Sequence, residues 1–370
     1  MVYDVAIIGA GMAGASLAAA VAPHLRVLVL EAEDQPGYHA TGRSAAFWTE
    51  TYGGPLVQPL TSASGAFLAH PPLDFADQGF VTPRGALMIG RAADTPLADA
   101  FLADFEGSGV ALHRRNAEAL GICLPGVRDD WVIGVEEPSN ADIDVAALHQ
   151  AYLRAARRAG VTLALRAQVS QLARRGAVWQ IIAGGQSYQA RCVVNAAGAW
   201  ASQIAKLAGA SDILIAPKRR TMVQLRLGVD IPAGLPLVVD LAGRFYFKPE
   251  GTRRVWVSPH DEAPTPPCDA APEEDDVALA IARFGEVVDW PIEALERSWA
   301  GLRSFAPDRA PVIGEDPACP GFYWCAGQGG AGIQTAPAIS ALLAAELTGQ
   351  APSPAYAGLD PARYTPGRFR

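Results

Sequence analysis

The sequence predicts an α/β chain in two parts: a parallel sheet wound with helices, and a second α+β part built on a mostly antiparallel sheet. Three observations carry this. Residues 5–31 alternate strand, glycine turn, helix and strand, whereas residues 217–256 change to runs of β-branched and aromatic residues. The chain of 370 residues also exceeds the ~250–300 residues at which one core usually stops growing.

The first element is the most informative. Val5, Ala6, Ile7 and Ile8 read as a buried strand running into Gly9-Ala10-Gly11-Met12-Ala13-Gly14, and small residues then continue to Ala22. Residues 27–30 form a second strand ending on Glu31. In such a turn Gly9 permits the bend, Gly11 lets a pyrophosphate approach the backbone, and Gly14 lets the helix lie against its sheet. The helix N-terminus favours negative charge there. Glu31 can accept hydrogen bonds from both ribose hydroxyls of an adenosine and would repel a ribose phosphate. The pattern implies a Rossmann-like dinucleotide site, and by itself it leaves the dinucleotide open.

Composition excludes several classes. A formal charge of −8 does not attract nucleic acid, and the basic clusters (Arg157-Arg158, Arg174-Arg175, Lys218-Arg219-Arg220, Arg253-Arg254) are short and scattered, as expected of solvated faces. Cys123, Cys192, Cys268, Cys319 and Cys325 have no metal-like spacing, and Cys192 and Cys325 sit in apolar runs as expected of buried thiols. No apolar run reaches the ~18–20 residues that span a bilayer. The turn motif begins at residue 5, so no signal peptide is expected ahead of it. The expected location is the cytoplasm, at most peripheral to the inner membrane.

Further along, the polar, glycine-punctuated stretch 37–48 suits a loop wrapped under a cofactor, followed by a short helix. Residues 55–69 and 97–105 read as helices, and 80–89 as strands around a Pro83-Arg84-Gly85 turn. In 143–160 Asp142 stands as N-cap, Val145, Leu148, Tyr152, Leu153 and Ala156 make one face, and Gly160 ends the helix. A buried strand follows at 161–165 and a meander at 169–194, leading to the small residues 195–198 that return the backbone toward the cofactor turn. The proline-rich, acidic stretch 261–276 reads as an exposed loop ahead of a helix over 277–284. Finally, a strand over 322–326 meets the glycine turn Gly327-Gln328-Gly329-Gly330-Ala331-Gly332, and a helix over 333–347 offers a second N-terminus to a ligand.

Taken together, residues 5–31, Thr41-Gly42-Arg43-Ser44-Ala45-Ala46, residues 194–200 (ending Ala199-Trp200), Trp299-Ala300-Gly301-Leu302-Arg303-Ser304 and residues 327–335 resemble the FAD-dependent D-amino acid oxidase and glycine oxidase superfamily. Within it the likeness is closest to the bacterial D-arginine dehydrogenases, a group of D-amino acid dehydrogenases, and it covers nearly the whole chain. The resemblance implies an FAD-binding domain of the glutathione-reductase type formed by residues 1–84, 143–217 and 303–370, and a substrate domain formed by 85–142 and 218–302. It implies cofactor contacts at Gly9, Gly11, Met12, Ala13, Gly14 and Glu31; at Gly42, Arg43, Ser44, Ala45 and Ala46; at Val169, Ala197, Gly198 and Trp200; at Gly301 and Arg303; and at Gly329, Gly330, Ala331, Gly332, Ile333 and Gln334. The implied reaction is oxidative deamination: hydride leaves Cα of a D-amino acid for flavin N5, and water hydrolyses the imino acid to a 2-oxo acid and ammonia.

Arg303 matches the arginine that pairs with the substrate carboxylate. Tyr246 matches the tyrosine that joins this clamp, Arg220 a second pocket arginine, and Tyr52 a tyrosine on a mobile loop that closes the pocket. This chain departs from the arginine-preferring enzymes at Ala86, where they carry a glutamate, at Phe47, where they carry a histidine, and at Ala331, where they carry a tyrosine. Without that acid a guanidinium would be buried unpaired, which costs several kcal/mol, so neutral or apolar D-amino acids are expected, with Phe47 and Trp48 lining the pocket. Trp256 falls where sarcosine-type oxidases place a lysine. That favours a dehydrogenase delivering electrons to a quinone or other carrier, with oxygen as the other possible acceptor. Residues 305–308 lack the flavin-attaching cysteine of sarcosine-type enzymes, so FAD is expected to be non-covalent. Two alternatives stay open: a same-fold FAD enzyme of a 2-hydroxy acid or a secondary amine (sarcosine, glycine or proline type), and a non-catalytic nucleotide-binding scaffold.

Overall fold

The computed structural model describes residues 1–370. Strand Val2–Ile8 lies inside an eight-stranded sheet, paired in parallel with Val27–Leu30 on one side and Gln186–Asn195 on the other. Thr162–Ala164 extends the parallel set beyond Val27–Leu30. The long strand Gln186–Asn195 changes partner along its free edge. Its first half pairs with the antiparallel meander of Val178–Ala183 and Val169–Arg175, and its last three residues pair in parallel with Phe322–Ala326. The parallel strands are apolar almost without interruption because both faces are covered. Leu17, Ala18, Ala156, Ile339 and Leu343 from three helices pack on one face, and Ile204, Ala205 and Trp179 lie on the other.

Helix Met12–Val21 can lie this close only because residue 14 has no side chain. A Cβ on Gly14 would run into the carbonyl oxygen of Gly9, and Gly9 itself takes a left-handed φ of 104° with Ala196 O behind it.

The second sheet has ten strands, and every adjacent pair is antiparallel except Leu237–Asp240 with Ala86–Arg91. Its spine is the long pairing of Ala216–Leu227 with Ile292–Phe305, which sets Arg220 opposite Gly301 and Lys218 opposite Arg303. Helix Glu274–Gly285 covers it through Ala280 and Phe284. Its first turn carries Glu274, Asp275 and Asp276 and its last turn Arg283, each sign matched to the helix dipole. A small sheet of Phe47–Trp48, Ala141–Ile143 and Val81–Pro83 joins the two parts.

Several sequence expectations are corrected. Helix Val145–Arg158 is capped by Asp144, whose carboxylate accepts from Ala147 N, while Asp142 is held by Arg84 and Lys248. Residues 47–48 form a short strand paired with Ala141 and Asp142, and the short helix of this stretch is the single turn Thr41–Arg43. The last long helix begins at Ala336, three residues late, since Gln328–Gly329 pairs as a short strand with Phe305 and Ser304. Cys192 is only half-buried, and all five cysteines are free. The Lys218-Arg219-Arg220 cluster is no solvated face: Arg220 is only 4% exposed. The loop after residue 260 also contributes a strand, Ala263–Pro264, against Lys218 and Arg219. No helix is long and apolar enough to cross a membrane.

Gly14→Ala should therefore destabilise the protein by about 1–3 kcal/mol, the usual range for overpacking, seen as a lower urea midpoint with an unchanged slope.

Candidate active site

An elongated cavity of about 560 Å³ runs from Glu31 and Glu33, past the glycine turn, to Arg220, Tyr246 and Arg303. That volume is in the range of ligand sites, which run about 300–1,000 Å³. At one end Glu31 is buried and braces the turn: Oε2 accepts from Ala10 N at 2.8 Å and Oε1 from Glu33 N at 3.0 Å. Thr41 Oγ1 accepts from Met12 N at 3.0 Å, tying the 41–43 loop to the start of the helix. A Cβ on Gly11 would meet Thr41 Oγ1 at 3.2 Å, so the bare backbone here is a cradle that a side chain would fill. His39 stacks tilted on Trp200 with ring centroids 4.6 Å apart.

At the other end, Arg303 Nη1 donates to Tyr52 Oη at 2.7 Å and Nη2 to Tyr246 Oη at 3.3 Å. The Tyr246 hydroxyl in turn donates to Met222 Sδ at 3.1 Å. Burial works against the charge on Arg303, but the tyrosine hydroxyls, Glu262 and Asp261 outweigh it and leave its pKa raised. Arg220 donates from Nε to Asp261 O at 2.7 Å, and its Nη1 is buried without a partner. Burial and then the neighbouring Arg303 lower its pKa. Burial would raise the carboxyl of Glu262, yet Arg309 and Lys218 hold it at about 2. His260 is pushed down to about 3 by burial and by Arg220 and Arg303, so it is neutral at physiological pH.

The cavity wall includes Gly9, Gly11, Met12, Ala13, Glu31, Arg43, Ser44, Ala45, Val169, Ala197, Gly198, Trp200, Arg220, Tyr246, Gly301, Arg303, Gly329, Gly330, Gly332 and Ile333. Other candidate residues stand back from it. Gly14 lies beneath the turn, and Gly42 and Ala46 shape the loop, Ala46 with a φ of 57°. Phe47 packs edge-on to Tyr52 and Tyr246, and Ala86 is fully buried in the cluster that includes Tyr246. Trp48 faces away, with its indole N–H on Thr61 O. Ala331 is buried, and Gln334 is spent on Thr49, Tyr52 and Thr61. The backbone carbonyl of Tyr52 accepts from Gln334 Nε2 at 3.4 Å. Trp256 bonds Gln224 and is not on the wall.

Sequence reasoning missed Met222, although strand alternation from Arg220 would have found it. It also missed Cys268 and Ala270, which reach the wall from the loop after residue 260 and give no pattern signal. That loop is strapped down: Asp269 accepts from Tyr38 Oη at 3.0 Å and pairs with Arg43, whose Nη1 also donates to Ala270 O and Ala300 O.

The DAO family, described as FAD dependent oxidoreductase, matches residues 4–346. The bifunctional protein ThiO/ThiG of Synechocystis is 28% identical over 67% of this chain, and this match spans only 37% of that protein's length. Among solved structures, glycine oxidase from Geobacillus kaustophilus superposes with a TM-score of 0.84 at 21% identity, covering 98% of each chain. L-proline dehydrogenase from P. horikoshii gives 0.85 at 21% identity over 100% of this chain and 98% of that one. FAD is thus the cofactor to which the length of the cavity, its glycine cradle and the braced Glu31 are fitted.

Two outcomes are expected. Acid precipitation should release the flavin into the supernatant, as non-covalent binding requires. Glu31→Ala should weaken FAD binding about tenfold or more in a fluorescence titration, the loss of one charge-assisted hydrogen bond.

Proposed function

The chain belongs to the DAO family of FAD-dependent oxidoreductases, and on that premise we propose that it oxidises the amine of D-amino acids with neutral or apolar side chains. In this reading residues 1–84, 143–217 and 303–370 bind the cofactor and 85–142 and 218–302 the substrate, and the electrons pass to a quinone or other carrier. One observation carries it: Arg303 faces the cavity with only two tyrosine hydroxyls as partners, beside a buried Arg220 whose Nη1 has none. A guanidinium so placed calls for an anion, and a carboxylate matches its paired N–H groups.

The same two cations act on the amine. Positive charge disfavours a nearby ammonium, so a substrate clamped through its carboxylate is shifted toward the neutral amine that oxidation at Cα requires. His260 is uncharged and contributes no charge of its own. Bound FAD supplies the two-electron acceptor. What the chain contributes is binding, orientation and the bias in protonation. Water then hydrolyses the imino acid to a 2-oxo acid and ammonia.

Side-chain preference follows from the wall. Its only acids are Glu31 and Glu33, at the far end from Arg303, so a cationic side chain finds no exposed counterion. No lysine is on the wall either, which supports a carrier other than oxygen as electron acceptor.

Anaerobic bleaching of the flavin by D-amino acids, L-amino acids, glycine, sarcosine, proline and 2-hydroxy acids tests the reading. Neutral D-amino acids should bleach fastest, and D-arginine and D-lysine at the head of the series would overturn the preference. Rapid reoxidation of the reduced enzyme by oxygen in stopped flow would overturn the choice of acceptor. Arg303→Ala should lower kcat/KM by roughly 30-fold or more, since losing one partner of such a pair costs about 2–5 kcal/mol.

A further inference from the structure

Glu137 closes the strand Trp131–Glu137 with no exposed surface at all. A carboxylate taken out of water is costly unless it is paired or fully hydrogen-bonded, and here every donor is neutral. Oε1 accepts from Glu50 N at 2.7 Å and from Ser139 Oγ at 3.4 Å, and Oε2 accepts from Thr51 Oγ1 at 2.5 Å. Burial raises its pKa despite these bonds. The adjacent Glu136 follows the alternation of the strand to the other face and pairs with Arg115. Glu137 has no such cationic partner.

What it does hold is the segment next to the clamp. Trp48 and Thr49 are gripped by Asn140 Nδ2, which donates to Trp48 O at 3.0 Å and to Thr49 Oγ1. From the opposite side Gln334 accepts from Thr49 N at 3.0 Å and donates to Thr49 O at 3.2 Å and Tyr52 O at 3.4 Å. Glu137 takes the two residues in between, Glu50 and Thr51. The next residue is Tyr52, whose hydroxyl meets Arg303 and occupies the space that a Cβ on Gly330 would need. Ala86 stands directly across the strands from Glu137.

We propose that Glu137 is a positioning residue: by fixing Glu50 and Thr51 it holds Tyr52 against Arg303, and so sets the geometry in which the clamp receives a carboxylate. Residues 49–52 then back the clamp from behind the cavity wall. The proposal rests on the carboxylate-clamp reading above.

The test uses the FAD-loaded enzyme and benzoate, an unreactive carboxylate whose binding is read from the flavin absorbance and needs no turnover. Glu137→Gln keeps the shape of the side chain, and Thr51→Val removes the hydroxyl at the other end of the same bond. Each is expected to weaken benzoate binding about tenfold. Each should also raise KM for the best amino acid while kcat stays within about twofold, the sign of lost binding geometry. In a Tyr52→Phe background neither should add a further loss, because Glu137 acts through Tyr52. Wild-type benzoate affinity in Glu137→Gln, or losses that multiply with Tyr52→Phe, would overturn the proposal. So would a selective loss of activity on D-lysine and D-arginine, which would make Glu137 a substrate contact. Arg303→Ala separates the two levels. If it abolishes benzoate binding while Glu137→Gln does not alter it, only the positioning role falls; if it leaves binding unchanged, the clamp reading fails and the positioning role with it.

Discussion

Two guanidinium groups share one wall of the cavity, and no carboxylate stands between them. The rest of the substrate end follows from how the chain tolerates this. The register of strands Ala216–Leu227 and Ile292–Phe305 fixes Arg220 across from Gly301 and puts Arg303 two residues further along the same strand. A Cβ on Gly301 would lie 3.3 Å from Arg43 Cβ, a tight contact. The charge is compensated from behind. Asp261 is engaged with Thr221 N and its hydroxyl, and its carboxylate approaches Arg220 Nε only to 3.8 Å. Glu262 is shared among Lys218, Arg220 and Arg309. Counterions so occupied hold Arg220 in place without satisfying it, and leaving a buried charged donor unpaired costs more than a neutral one would. On the proposed reading a ligand carboxylate would complete the set, so that affinity and orientation would arise from the same deficit.

The cofactor end is built by a different economy of contacts. There the charge comes from backbone: a helix N-terminus, a bare glycine turn, and Glu31 holding that turn from the second strand. The two ends are joined by loops rather than by either sheet. Arg43, on the cofactor loop, spends its guanidinium on Ala270, Ala300 and Asp269, and lies over the Tyr38 ring. These bonds make it a strap that draws the second sheet's loop over the cavity, with Cys268 and Ala270 carried onto the wall beside Arg43 itself.

How much of this is legible in the sequence depends on whether a residue's role is set locally. The strand, turn and helix over 2–21 are visible because Gly9, Gly11 and Gly14 each answer a backbone constraint within that unit. Arg303 is visible through the motif around it. Roles set by partners hundreds of residues away are not. Phe47 and Trp48 look equivalent, yet pairing with Asp142 and Ala141 sends one ring toward Tyr52 and Tyr246 and the other toward helix Gln58–Ala69, where a Cβ on Gly65 would collide with it. Asp142 and Asp144 are both good N-caps on paper. Arg84 and Lys248, distant in sequence, claim the first. Glu136 and Glu137 differ only in which face of the strand they take, and nothing near them says that one face is the core.

That last pair also bears on substrate choice. Ala86 leaves its place on the strand without an acid, and the structure sets a carboxylate, Glu137, directly across from it. On the proposed reading that carboxylate could be taken for a counterion to a cationic substrate. Its bonds argue otherwise. Both oxygens already accept from Glu50 and Thr51, and the residue reaches no cavity surface. On the proposed positioning role, a cationic side chain that displaced Thr51 from it would also loosen Tyr52 from Arg303. The two ends of a cationic substrate would then compete, the side chain gaining a counterion as the carboxylate lost part of its clamp. Asp142, the acid paired across from Phe47, is equally taken, with Arg84 and Lys248 both on it. On the proposed reading, a neutral side chain asks nothing of either acid and leaves the clamp intact, so such substrates would be favoured by the prior commitment of these acids.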